Sequence, residues 1–95
     1  MTRRGVGILG RNIQVAGGEI DILASVAGEV TVVEVRSLAI AGRFRGDPIE
    51  SFGADKAAQV RRLAGLLRPP ARRVDLIAVR FTEAGVSVRW VPWAA

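Results

Sequence analysis

A chain of 95 residues, 49% hydrophobic and 24% charged, is the length and composition of a single ordinary globular domain. It has no cysteine and no histidine, which excludes disulfides, thiol catalysis, histidine general bases and the common zinc sites. A metal would need oxygen ligands, which favours magnesium, manganese or calcium. The net charge is +5, and the excess lies in the middle: residues 36–73 carry nine cations against three acids, while residues 1–35 carry three against four. A basic block beside an acidic stretch suits a polyanion bound near a metal, and it equally suits a solvated arginine-rich surface. No apolar run approaches the roughly 20 residues that span a bilayer. No long apolar segment follows Met1-Thr2-Arg3-Arg4, so the expectation is no membrane span, no secretory signal and a cytoplasmic protein.

Residues 6–16 alternate loosely and predict a first strand. Gly17-Gly18 supplies the positive φ of a tight turn. Residues 19–26 predict a second strand, Ala27-Gly28 a second turn, and residues 30–38 a third strand rich in β-branched residues. Short turns make these three an antiparallel meander. Residues 39–54, with Gly, Pro and arginines flanking Phe44, predict a loop. From Asp55 the period becomes helical: Ala57, Val60, Leu63 or Ala64, and Leu67 recur on one face through Arg68. Asp55 or Ser51 is a candidate cap, and Pro69-Pro70 stops the helix. Lys56, Gln59 and Arg62 fall on a polar stripe with Arg61 beside it. Residues 73–81 and 86–91 predict the last two strands. The fold expected is α/β (α+β): a mixed sheet of about five strands in the order βββαββ, with one main helix, as a single domain over residues 1–95.

Two stretches carry acids inside apolar runs: Gly18-Glu19-Ile20-Asp21-Ile22-Leu23 and Thr31-Val32-Val33-Glu34-Val35-Arg36. Residues two apart in a strand share a side. That puts Glu19 and Asp21 on one face with Ile20 and Ile22 on the other, and Glu34 with Arg36 opposite Val33 and Val35. If the strands pair, Asp21, Glu34 and Arg36 converge. One reading is a set of water-facing cross-strand ion pairs, each worth little. The other is a site at a sheet edge, because Glu34 shares its face with Val30 and Val32 in a strand that should be buried. Arg43, Arg45, Lys56, Arg61 and Arg62 follow this motif and, as a group, suit phosphate contacts of a nucleic-acid backbone. Asp47 and Glu50 are more weakly placed acids in the loop. Asp75 is expected to pair with Arg72 or Arg73, and Trp90 and Trp93 to pack at the core or an edge.

These blocks resemble the PD-(D/E)xK nuclease motif and, more closely, the YraN-type family of small uncharacterised bacterial proteins. Ile8-Leu9-Gly10-Arg11-Asn12 is similar to that family's ILxRN, and Gly18-Glu19-Ile20-Asp21-Ile22-Leu23-Ala24 to its GEIDLIA. Val32-Val33-Glu34-Val35-Arg36 is similar to its VFVEVK, and Arg73-Val74-Asp75-Leu76-Ile77-Ala78 to its RFDVVAI. Lys56 opens the matching helix, and the likeness runs from about residue 6 to about 92. The resemblance implies a restriction-endonuclease-like core, similar to Holliday-junction resolvases. It implies a metal-dependent endonuclease acting on nucleic acid, DNA more than RNA. In that reading Asp21, Glu34 and the Val35 backbone carbonyl hold Mg2+ or Mn2+, and Arg36 stands at the catalytic-cation position.

Two departures from the family pattern matter. Arg36 stands where the motif has lysine, and a guanidinium cannot serve as a base, although it can brace a phosphate. Family members also begin with a helix bearing a GExxAxxYL-type glutamate, and this chain starts after it. The expectation is an exposed apolar surface and a homodimer or another associating chain. The alternatives to a nuclease are a catalytically inactive binding or scaffold module on the same fold, and a structural homodimer.

Overall fold

The structure is a computed structural model that describes residues 5–39 and 52–95. The chain forms β1 (Val6–Val15), β2 (Gly18–Val26), β3 (Glu29–Ala39), α1 (Ala54–Leu66), β4 (Arg73–Thr82) and β5 (Gly85–Val91). The described residues thus give the expected βββαββ order, a mixed α/β fold. The strands lie in one sheet in the order β1-β2-β3-β4-β5. β1–β2, β2–β3 and β4–β5 are antiparallel, and β3–β4 is parallel. A parallel neighbour cannot be reached through a tight turn, so the chain crosses over between β3 and β4, and α1 lies in that crossover. None of the helices among the described residues is long and apolar enough to cross a membrane.

The turns follow from residues that accept positive φ. The β1–β2 turn is Ala16-Gly17, with φ 47 and 83, one residue earlier than expected, so Gly18 opens β2. Ala27-Gly28, with φ 52 and 84, makes the β2–β3 turn as expected. Positive φ at both central positions matches the twist of paired strands. In β1 the register shifts between Ile8 and Gly10, placing Leu9 as an extra residue that is exposed.

The helix is shorter than its apolar period suggests. It ends at Leu66, with Leu67 as an extended C-cap, because the residue before a proline is disfavoured in helical geometry and Arg68 precedes Pro69. Gly53 is the N-cap and makes no side-chain cap bond. Asp55 lies inside the first turn, where its charge complements the helix dipole rather than capping it. Ser51 lies outside the described residues.

The core sits between α1 and one face of the sheet. Ile20, Val32 and Val74 pack against Val60, Leu63 and Ala64 of the helix, with Ala71 beside them. A second cluster, Ala24, Val26 and Val33 with Val6, Ile22 and Ile77, contains only sheet residues. Strict alternation had placed Ile20 and Ile22 together. They belong to different clusters instead, so the two-residue period of β2 breaks at Asp21. Across from it, the β1–β2 pairing runs from Arg11↔Ile22 to Ile13↔Ile20, and the intervening Asn12 has φ 51. The left-handed Asn12 thus stands across from the place where the alternation of β2 is interrupted.

Candidate functional site

Glu34 lies on β3 two residues beyond Val32 and four beyond Val30, both of which belong to the helix-side core. The strand period therefore turns its carboxylate toward α1, and only 4% of the residue is exposed. The β2–β3 ladder ends at Ile22↔Val33. Immediately beyond it, the Val35 N–H donates to Asp21 Oδ2 at 3.0 Å. A side chain thus accepts from a β3 amide at the place where the backbone ladder stops, and this fixes Asp21 beside Glu34. Arg36 is half-buried and close enough for its charge to act on Glu34. The expected convergence of Asp21, Glu34 and Arg36 is present in the fold.

α1 brings a fourth group. Lys56, Val60 and Leu63 stand at i, i+4 and i+7, so Lys56 continues the buried stripe of the helix toward its N-terminus. This corrects its assignment to a polar stripe with Gln59 and Arg62. Lys56 Nζ lies 3.4 Å from Glu34 Oε2. Arg61 and Arg62 are exposed on the same helix. Arg43, Arg45, Asp47 and Glu50 lie outside the described residues.

Burial is the largest cause lifting the Glu34 carboxyl above its usual value of 4.5, and the charge of Asp21 adds to it. Lys56, through charge and hydrogen bond, and Arg36, through charge, pull the other way without cancelling the rise. A carboxyl whose folded-state pKa is raised gives a stabilising contribution that is present below its unfolded value and lost as pH rises through the folded one. Ionised Glu34 therefore costs stability near neutrality. Glu34→Gln is expected to melt above the wild type at about pH 7.5 and to lose that advantage in acid. Thermal melts of both proteins across this range test it, and an equal or lower neutral melting temperature for the variant would count against the raised pKa.

Among the described residues no group of three or more acids, histidines or cysteines could hold a metal. The donor set at hand is two carboxylates, Asp21 and Glu34, with the Val35 carbonyl as the nearby backbone oxygen. Two hard oxygen ligands fit magnesium, which commonly takes one or two carboxylates and keeps several waters.

Outside this cluster lies a buried hub centred on Asp75, of which the sequence indicated the arginine pairing but not the convergence of both tryptophans. Asp75 is fully buried. Arg73 Nε and Nη2 donate to its two oxygens at 2.8 and 3.1 Å, Trp90 Nε1 donates at 2.8 Å and the Trp93 N–H at 3.0 Å. The guanidinium of Arg73 lies 5.0 Å from the Trp93 ring centroid. The expected Arg partner is thus Arg73, and the two tryptophans serve the same carboxylate. The visible signal was Arg73 and Asp75 two apart in one strand, which sets them on one face.

These observations define a small mixed-sheet α/β domain with a buried glutamate, a second carboxylate and two cations gathered where β2, β3 and α1 meet. Residues 1–79 match the family model of the uncharacterised protein family UPF0102. The chain is 38% identical over 91 residues to a UPF0102 protein of Arthrobacter sp. (strain FB24), covering 86% of this chain and 73% of that one. It is 36% identical over 92 residues to one of Thermotoga neapolitana, covering 90% and 79%. It is 46% identical over 97 residues to UPF0102 protein BPP4042 of Bordetella parapertussis, covering 90% of this chain and 51% of the relative. The chain belongs to family UPF0102, in keeping with the resemblance to an uncharacterised bacterial family carried by its motifs.

Proposed function

We propose that this protein binds nucleic acid and, with magnesium or manganese, cleaves phosphodiester bonds. The observation that carries the reading is Glu34: a nearly buried carboxylate held beside a second carboxylate, on a face that the core would otherwise fill with valine. A fold that keeps a destabilising acid in place is characteristic of a working site. The placement of the acids on adjacent strands β2 and β3, ahead of a crossover helix, supports the likeness to the PD-(D/E)xK nucleases.

In this reading Asp21, Glu34 and the Val35 carbonyl hold the ion. When bound, such an ion polarises a phosphoryl group and lowers the pKa of its water. Asp21 is oriented for the task by the Val35 N–H, and Glu34 by its burial against the helix. Arg36 braces a phosphate oxygen and stays charged throughout, so it transfers no proton. Arg61 and Arg62, exposed on α1, contribute sequence-independent phosphate contacts, with Arg43 and Arg45 in the same role. A DNA partner fits a cytoplasmic protein of this charge.

The test is calorimetric titration of magnesium and manganese into wild type, Asp21→Ala and Glu34→Ala. Binding in the wild type and its loss in both folded variants is the expected result, followed by metal-dependent cutting of linear or branched DNA. No binding in the wild type overturns the enzymatic reading. Salt-sensitive DNA binding without cutting would favour the binding-module alternative. The structural homodimer is supported by a different observation, a hollow of about 230 Å³ lined by sheet residues such as Ile8, Ala24, Val33 and Trp90. A monomer by light scattering removes that alternative.

A further inference from the structure

We infer that Lys56 is an exchangeable counter-ion: its ammonium neutralises Glu34 in the metal-free protein and must be displaced when a divalent cation binds there. The inference rests on the metal reading of Asp21 and Glu34 and adds the residue that controls access to them.

The geometry makes the pairing specific. Lys56 reaches Glu34 from the helix side, with Nζ 3.4 Å from Oε2, and it does so because it extends the stripe that buries Val60 and Leu63. The two ends of the pair differ in exposure: 34% of the Lys56 side chain is open to solvent but only 6% of the Glu34 side chain. The carboxylate is fixed in the sheet, and the ammonium sits on a flexible stem with a way out. A buried carboxylate needs a cation beside it. Lys56 fills that need as a compact point charge, the same kind of partner that a divalent ion would be. Arg36 and Asp21 also act on Glu34 by charge.

Two cations held at one carboxylate repel each other, and more strongly in a largely buried site than in bulk water. A divalent ion at Glu34 therefore repels the ammonium, which swings outward through its exposed side. Lys56 is then a positioning residue: it keeps the metal-free site neutral and sets how strongly a metal must bind in order to enter. Removing its charge removes the competitor. Lys56→Gln is expected to bind manganese roughly two- to five-fold tighter than the wild type, the factor that corresponds to a part-exposed ion pair. Lys56→Arg retains a cation and is expected to stay close to wild-type affinity.

The experiment measures manganese affinity by isothermal calorimetry for wild type, Lys56→Gln, Lys56→Arg and Glu34→Gln. Circular dichroism confirms that each is folded, and Lys56→Met stands in if the Gln variant is not. Tighter binding in the neutral variant than in the wild type and Lys56→Arg supports the exchange. Equal or weaker binding in the neutral variant, with the wild type binding and Glu34→Gln not, overturns the role of Lys56 and leaves the metal site standing. No binding in any of the proteins overturns both.

Discussion

Asp75→Ala is expected to lower the free energy of unfolding by about 3–5 kcal/mol, the cost of removing one partner from a buried ion pair. The carboxylate has no exposed surface and accepts four hydrogen bonds, two from Arg73, one from the Trp90 indole and one from the Trp93 backbone. Alanine would strand the Arg73 guanidinium, whose side chain is only 11% exposed. It would also release the indole and an amide that tie the C-terminal segment to β4. A domain of this size has a total stability of roughly 5–14 kcal/mol, so the loss is a large share of it. The melting temperature should fall by more than about 10 °C. Trp90 and Trp93 provide an emission signal for the same event.

The pH dependence gives an independent check on Asp75. Burial pushes its carboxyl up and is the largest single cause, but the bonds from Arg73, Trp93 and Trp90, with the charge of Arg73, together outweigh it and leave the carboxyl below its usual 3.8. A lowered folded-state pKa gives stability that is present above the unfolded value and lost as pH falls through the folded one. Wild type should therefore lose this contribution in strong acid, and Asp75→Ala should show no such loss. Equal stability of the two proteins at neutral pH would refute the hub.

Leu63→Ala is expected to cost about 2–5 kcal/mol, from lost burial and the cavity left behind. Leu63 is 2% exposed and plugs the joint between α1 and the sheet. Its fit is close: a Cβ added at Gly18 would stand 2.8 Å from Leu63 Cδ1. Gly18 thus serves the packing of the helix rather than the turn. The helix that Leu63 anchors also carries Lys56, so loosening it should weaken the Lys56–Glu34 contact as well as the fold. Denaturant unfolding measures the first effect. A loss below about 1 kcal/mol would mean that the helix is held mainly elsewhere.

Much of this was written in the chain itself. β-branched runs separated by short glycine-containing turns determine a strand meander, although the first turn falls at Ala16-Gly17 and not at Gly17-Gly18. The apolar period from Ala57 to Leu67, halted before Pro69, determines a helix, and a helix between strands determines a crossover. The two-residue spacing of Glu34 from Val32 set the acid on one face with a valine and left open whether that face met water or the core. Tertiary structure decided the rest. It broke the alternation of β2 at Asp21, opposite a left-handed Asn12, because pairing between strands and not local spacing sets which way a residue turns. It moved Lys56 from a solvent stripe to the side of Glu34, because the sheet chooses which face of a helix is buried. It gathered Arg73, Asp75, Trp90 and Trp93 around one carboxylate, because contacts between residues far apart in sequence exist only once β4 and β5 are paired.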